Sequence, residues 1–79
     1  HEPHLALDGG EDGLDCYRRI VHEAPGFIRP GGYLLMEVGE GQSTAVEALL
    51  AQVASVSEVQ TKPDLNGVPR VVVARISSS

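Results

Sequence analysis

An almost unbroken apolar run occupies residues 33–38, directly after the turn residues Pro30, Gly31 and Gly32. A strand with one solvent-exposed face alternates apolar and polar side chains, whereas a strand covered on both faces is apolar nearly throughout. The run therefore predicts a strand at 33–38 whose sheet is covered on both faces. A chain built around such a strand belongs to the α/β class.

The residues before this strand predict a helix at 13–24. Its apolar side chains recur at three- and four-residue spacing, which places Leu14, Tyr17, Val21 and Ala24 on one face. Asp12 is the expected N-cap, and Pro25 ends the helix because proline has no backbone N–H. Residues 1–12 are polar and glycine-rich, and we expect a loop there.

A second helix is predicted at 44–53. Thr44 and Glu47 have the spacing of a capping box, in which each side chain bonds the backbone N–H of the other residue. Apolar residues follow at i, i+3, i+4 and i+7, namely Val46, Leu49, Leu50 and Val53. Two further strands are predicted at 57–61 and 71–76, separated by turn residues. The predicted order is helix, strand, helix, strand, strand.

We expect one core between these elements, with the last strand antiparallel beside the first. Its predicted members are Leu34, Leu35, Met36, Val38, Leu49, Leu50, Val53, Val71, Val72 and Val73.

Charge and length restrict the possible partners. The 79 residues carry a net charge of −5, and no basic run exceeds Arg18-Arg19, so we expect no nucleic-acid contact by this segment. No apolar run approaches the roughly 20 residues of a membrane span, and we expect no membrane contact. The single Cys16 fits a reducing compartment. With no secretory signal in the sequence, the expected location is the bacterial cytoplasm or an organelle.

The segment 39–44 has the position of a cofactor loop, between a predicted strand and a predicted helix. Glycine lets backbone approach a nucleotide there, and the helix N-terminus faces the ligand. The pattern lacks its third glycine, because Ser43 or Thr44 stands at that point, and Glu40 places a negative charge near the ligand. An ordinary strand-to-helix turn is the favoured interpretation.

The segment 8–13 has a partial likeness to a calcium loop that starts at Asp8. Asp12 and Gly13 fall correctly at its fifth and sixth positions. Gly10, however, stands where an oxygen ligand is needed, and Arg19 stands where the bidentate glutamate belongs. A solvated acidic turn is therefore favoured, and we expect no metal.

Other reactive side chains have simpler interpretations. His1, His4 and His22 lack the spacing of a metal site and are expected to be solvent-exposed. Cys16 has no base placed beside it by sequence, and a buried or half-buried thiol is expected. Asp64 and Arg70 flank a turn and are predicted to pair across it.

Four stretches of the chain carry a resemblance to a known family. They are EP-LALDGGEDGLD-YRRI at 2–20, PGGYLLMEVGEGQ at 30–42, DLNGVPR at 64–70 and VVVAR at 71–75. In this order they resemble the C-terminal part of the HemK/PrmC family of protein-(glutamine-N5) methyltransferases. Glu37-Val38-Gly39 with Gln42 matches the family's EIG-x-x-Q segment, which follows the fifth strand and is not its cofactor loop.

The resemblance implies a fold and a reaction. The fold would be the C-terminal portion of a class I, Rossmann-like methyltransferase sheet, with its last strand reversed. The family transfers a methyl group from S-adenosylmethionine to the glutamine side-chain amide of the Gly-Gly-Gln motif in peptide-chain release factors. Its glycine-rich loop and Asn-Pro-Pro-Tyr motif would lie upstream of His1. The chain would therefore be a fragment that has no catalytic or cofactor-binding residue and is inactive alone.

The resemblance also indicates one possible substrate contact. The residues that would follow the missing motif could line the edge of the glutamine pocket, and they are Glu2, Pro3, Leu5, Ala6, Leu7 and Asp8. A truncated sheet would leave the strand edge at 33–38 open, and self-association of the fragment through this edge is expected. The alternative is a self-contained small α/β binding or regulatory module without catalytic activity.

Overall fold

The computed structural model describes residues 13–78. Two α-helices, α1 (Asp15–Glu23) and α2 (Ser43–Ala51), alternate with three strands, β1 (Tyr33–Glu37), β2 (Val56–Pro63) and β3 (Pro69–Ile76). A 3₁₀ turn, Ala24–Phe27, follows α1. The observed order along the chain is helix, strand, helix, strand, strand, which agrees with the predicted order. The result is a small α/β structure with an antiparallel three-stranded sheet.

The last strand lies in the middle of this sheet. The strand order is β1-β3-β2, and both neighbours run antiparallel to β3. Leu34 pairs with Ala74 and Met36 pairs with Val72. The prediction that the last strand lies antiparallel beside the first is confirmed. Among the described residues, β3 is the sole hydrogen-bonded neighbour of β1, and its other edge is open.

The core lies on one face of the sheet, which we call the inner face. Val46 and Leu50 of α2 are fully buried there against Val72 of β3, and Val21 of α1 joins the same cluster. Both helices therefore cover the inner face. Within α2 the predicted apolar stripe is confirmed, since Leu49 packs half-buried against the core. The helix ends at Ala51, before the predicted end at residue 53, so Val53 contacts the core from the segment that follows the helix.

The opposite, outer face of the sheet is open within residues 13–78. Tyr33 is 57% exposed and Leu35 is 64% exposed, whereas Met36 beside them is 4% exposed. The prediction of cover on both faces of β1 is therefore wrong for the described residues, and so is the predicted burial of Leu35. Val71 and Val73 are likewise only half-buried. The reason is that both described helices pack on the inner face, so the outer side chains have no layer above them.

The start of α1 differs from its prediction. The helix begins at Asp15 with Leu14 as N-cap, and no side chain caps it. The predicted cap, Asp12, lies outside the described residues, as does the predicted loop at 1–12. The α-helix ends at Glu23, two residues before Pro25, which is the second residue of the 3₁₀ turn. Because proline lacks a backbone N–H, the α-helical bonding cannot continue through it.

The predicted capping box of α2 is wrong. The helix begins one residue early, at Ser43, so that Gln42 is the N-cap and its side chain does not cap the helix. The Glu47 carboxylate instead accepts a hydrogen bond from the Thr61 hydroxyl on β2. Glu47 faces the sheet, and a bond to the neighbouring strand replaces the local bond that the spacing predicted.

Strands β2 and β3 are longer than their predictions of 57–61 and 71–76. Pro63 and Pro69 face each other at the end of their ladder. Proline is tolerated at a strand end, because no ladder N–H is required there. The hairpin connection thus shrinks to residues 64–68. Within residues 13–78, no helix has the length and apolar character needed to cross a membrane.

Candidate functional site

A cluster of four residues, which we call the Gln42 bridge, connects three separate segments. Its members are Gly13, Tyr17, Gly39 and Gln42. The Tyr17 hydroxyl donates to Gln42 Oε1 over 3.0 Å, and Gln42 Nε2 donates to the Gly13 carbonyl oxygen over 3.4 Å. Both ends of the Gln42 amide are therefore used. The bridge links the β1–α2 loop to α1 and to the residue that leads into α1.

Gly39 is tightly packed into this bridge. Its backbone N–H points between Gln42 Oε1, at 3.1 Å, and the Tyr17 hydroxyl oxygen, at 3.3 Å. A Cβ atom at Gly39 would lie 2.7 Å from Gln42 Oε1, which is closer than real contacts allow. A larger residue at this position would therefore displace the end of the Gln42 side chain from the bridge.

The bridge also explains why residues 39–44 make a poor cofactor loop. A cofactor loop offers free backbone N–H groups to its ligand. Here the Gly39 N–H is bonded within the bridge, and the Gln42 N–H donates to the Gly39 carbonyl oxygen over 3.0 Å. Glu40 lies exposed in the turn between them. This geometry favours the interpretation as a strand-to-helix turn.

Asp64 organises the second polar cluster, at the turn between β2 and β3. Its Oδ1 atom accepts the N–H groups of Asn66, at 2.8 Å, and Val68, at 3.0 Å. Its Oδ2 atom lies 3.3 Å from Arg70 Nε, so the predicted pairing across the turn is confirmed. The bond from Val68, then that from Asn66 and the Arg70 guanidinium, hold the pKa of Asp64 below its usual value of 3.8.

The remaining predicted side chains lie apart from both clusters. His22 is exposed at the end of α1, and Cys16 is a half-buried free thiol in its first turn. Arg19, at the critical position of the calcium pattern, pairs with Glu23 at 3.5 Å. No three His, Cys, Asp or Glu side chains within residues 13–78 form a group that could hold a metal ion. His1, His4 and Asp8 lie outside the described residues.

The outer face carries a shallow pocket that the sequence did not predict. Its volume is about 240 Å³, and it is lined by Tyr33, Glu58, Gln60, Val73 and Arg75. Tyr33 and Glu58 both stand opposite Arg75 in the ladders of the sheet. The alternating pattern of β2 was the available signal, because it places Glu58 and Gln60 on one face. The lining is mixed polar and apolar, with no group whose chemistry indicates a ligand.

Comparison with curated proteins identifies relatives over nearly the whole chain. The sequence is 49% identical over 75 residues to the release factor glutamine methyltransferase of Bradyrhizobium diazoefficiens, covering 95% of this chain and 25% of that protein. It is 49% identical over 78 residues to the protein of the same name from Cereibacter sphaeroides, covering 99% and 28%. The protein of that name from Geobacter sulfurreducens is 46% identical over 76 residues, covering 96% and 26%.

The sequence belongs to the release factor glutamine methyltransferase family. The resemblance to the HemK/PrmC family is thereby confirmed. The chain spans about a quarter of the length of the curated methyltransferases it matches. No family model matches the chain, and no solved structure matches it.

Two of the stretches that resemble the methyltransferase family coincide with the two polar clusters. Gly39 and Gln42 belong to the EIG-x-x-Q match and form the Gln42 bridge. Asp64 and Arg70 bound the DLNGVPR match and clamp the β2–β3 turn. The pocket-edge residues Glu2, Pro3, Leu5, Ala6, Leu7 and Asp8 lie outside the described residues, and their role stays a prediction.

Proposed function

We propose that this chain is the C-terminal segment of a release factor glutamine methyltransferase. The whole enzyme would transfer a methyl group from S-adenosylmethionine to the glutamine side chain of the Gly-Gly-Gln motif in a peptide-chain release factor. The observation that carries the proposal is identity of 46–49% to proteins of that name over nearly the entire chain. The whole enzyme would be located where release factors act, in a bacterial cytoplasm or an organelle.

In this proposal the segment serves the reaction as scaffold and pocket edge. An amide nitrogen is a poor nucleophile because its lone pair is delocalised into the carbonyl group. Catalysis then depends on holding the nitrogen in line with the methyl group. The Asn-Pro-Pro-Tyr motif that would hold it is absent from this sequence, and we assign it and the cofactor loop to the upstream part of the enzyme.

The geometry of β1 supports a role as part of a larger sheet. One edge of β1 is hydrogen-bonded to β3, and the other edge has no neighbouring strand among residues 13–78. On the outer face, Tyr33 and Leu35 present large apolar surfaces to solvent. An open edge beside an exposed apolar face is unfavourable in a finished domain. The strand that carries the catalytic motif would lie along this edge in the whole enzyme.

The direct test is a methyl-transfer assay with the full-length protein that contains this chain. Purified enzyme is incubated with labelled S-adenosylmethionine and a release factor, and label in the release factor is located by mass spectrometry. We expect methylation of the Gly-Gly-Gln glutamine and none in a matched release factor with alanine at that position. Labelling of both substrates alike, or of neither, would refute the proposed function.

A further inference from the structure

We propose that Leu65, at the tip of the β2–β3 hairpin, is a docking contact for the folded release factor outside the glutamine pocket. The inference rests on the proposed function and extends it to a surface that recognises the body of the protein substrate. Its basis is an apolar side chain that is fully exposed on a turn whose backbone is held in place.

The turn that carries Leu65 is fixed by its own hydrogen bonds. The Gly67 N–H donates to the Asp64 carbonyl oxygen over 3.0 Å, and the Asp64 N–H donates to the Val68 carbonyl oxygen over 2.8 Å. The Asp64 carboxylate also accepts the N–H groups of Asn66 and Val68. Because the backbone is already constrained, a partner that binds Leu65 does not have to order the turn, and this preorganisation favours affinity.

The surroundings of Leu65 are those of a contact with a separate protein. Besides the two prolines at the base of the hairpin, its exposed neighbours Asn66, Gly67 and Arg70 are polar or lack a side chain. An apolar anchor within a polar rim is typical of interfaces between separately folded proteins, whereas permanent interfaces are apolar over a wider area. The outer face around Leu35 has that wider apolar character, and the hairpin tip does not.

A single exposed leucine is common on protein surfaces, so the position of Leu65 in the fold is the next step. β1 and β2 both run antiparallel to β3 and are therefore parallel to each other, which places their carboxyl ends at one edge of the sheet. The hairpin turn follows β2 at this edge, and the Val38 N–H after β1 donates to the Arg70 carbonyl oxygen over 2.9 Å.

This carboxyl edge is the side on which a substrate would approach. Ligands of open α/β sheets bind beyond the carboxyl ends of the strands. Binding residues also occur preferentially on loops that a rigid scaffold positions. A release factor that places its glutamine at this edge would therefore meet the hairpin tip, and Leu65 would enter an apolar recess on its surface.

The test uses two substitutions at exposed apolar side chains. Leu65→Ala removes the anchor but keeps the turn, because a leucine side chain makes none of the hydrogen bonds that hold it. Phe27 is 90% exposed in the 3₁₀ turn after α1, in the segment that leads to the amino end of β1. Phe27→Ala is therefore the matched control for loss of an exposed apolar side chain away from the carboxyl edge.

The experiment compares both variants with wild type in the full-length enzyme. Measured quantities are kcat and KM for the intact release factor, the dissociation constant of S-adenosylmethionine by calorimetry, and Tm. We expect Leu65→Ala to raise KM for the release factor by about 5- to 30-fold, the effect of losing a main contact in an interface. Its kcat, cofactor dissociation constant and Tm should stay near those of Phe27→Ala, because a docking contact binds substrate and transition state alike.

The outcomes separate this inference from the proposed function. If the wild-type enzyme methylates no release factor, the proposed function fails and the inference fails with it. If the wild type is active and Leu65→Ala has the same KM as Phe27→Ala, the inference alone is refuted.

Two further results would also refute the inference alone. A Tm lowered by Leu65→Ala would show that Leu65 packs against another part of the same enzyme. A lowered kcat with an unchanged KM would show that Leu65 acts on the reaction itself and is not a docking contact.

Discussion

Asp64 and Arg70 pair across the β2–β3 turn, with 3.3 Å between Asp64 Oδ2 and Arg70 Nε. The same carboxylate accepts the backbone N–H groups of Asn66 and Val68 through its other oxygen. One side chain thus satisfies two turn donors and one cation at the tip of the hairpin. This arrangement makes the stability of the hairpin depend on the charge of Asp64.

The first prediction is an acid-sensitive contribution of Asp64. The backbone bonds from Val68 and Asn66, followed by Arg70, lower the pKa of Asp64 in the folded state. A lowered folded pKa stabilises the fold at pH values above the unfolded pKa of about 3.9, and this stabilisation is lost as the pH falls through the folded pKa. We expect Asp64→Asn to be less stable than the wild type at neutral pH and to converge with it in acid.

The free energy of unfolding of wild type and Asp64→Asn is measured by urea denaturation from neutral pH down into acid. Arg70→Ala is the control, and it should keep most of the acid dependence because the backbone bonds are the larger cause. An Asp64→Asn variant whose stability follows the wild-type pH curve at every point would contradict the prediction.

The second prediction concerns the centre of the core. Leu50 is fully buried, and Leu50→Ala should cost about 2–5 kcal/mol of unfolding free energy through lost burial and the cavity left behind. Leu65 is fully exposed in the β2–β3 turn, and Leu65→Ala should change stability by less than about 0.5 kcal/mol. Chemical denaturation measures both. A loss below about 1 kcal/mol for Leu50→Ala, outside the range for such substitutions, would show that the helix register is wrong.

The third prediction concerns the close approach at Gly39. A methyl group there would lie 2.7 Å from Gln42 Oε1, so Gly39→Ala must displace the Gln42 side chain. We expect a cost of about 0.5–1.5 kcal/mol for each bridge hydrogen bond that the displacement breaks. A Cβ atom at Gly26 meets nothing within 4 Å, which makes Gly26→Ala the matched control. If Gly39→Ala and Gly26→Ala have the same Tm in thermal unfolding, the bridge is not formed.

The fourth prediction is self-association of the isolated chain. β1 offers an open edge and an outer face with Leu35 64% exposed, and such surfaces recruit other chains. Light scattering should show association that Leu35→Lys weakens. Leu65→Lys, the same change at a fully exposed leucine away from β1, should leave the association intact. A monomer at high concentration with amides 33–38 fully protected from exchange would contradict the prediction and favour a self-contained module.

The fifth prediction is that residues 1–79 alone neither bind S-adenosylmethionine nor transfer its methyl group. The Gly39 and Gln42 N–H groups are bonded inside the loop, and Glu40 adds a negative charge beside them. Calorimetric titration of the chain with the cofactor should give no saturable heat. Saturable binding in the micromolar range would overturn the prediction and make residues 39–44 a cofactor loop after all.

The sequence by itself determined those features that depend on neighbours in the chain. The three- and four-residue spacing of Val46, Leu49 and Leu50 predicted the buried stripe of α2, because a helix places such residues on one face whatever surrounds it. The pairing of Asp64 with Arg70 followed from a turn only a few residues long. The family followed from motifs, which are properties of sequence alone.

The tertiary structure decided the features that depend on what lies opposite. Leu35 is as apolar as Leu34, but its exposure depends on which face of the sheet the helices cover. Glu47 has capping-box spacing, yet it bonds Thr61 because α2 packs on β2. Gln42 meets Tyr17 and Gly13 across 25 and 29 residues, so no local pattern could pair them. Periodicity fixes which side of an element is apolar, whereas burial and long-range hydrogen bonds are fixed only when two elements pack together.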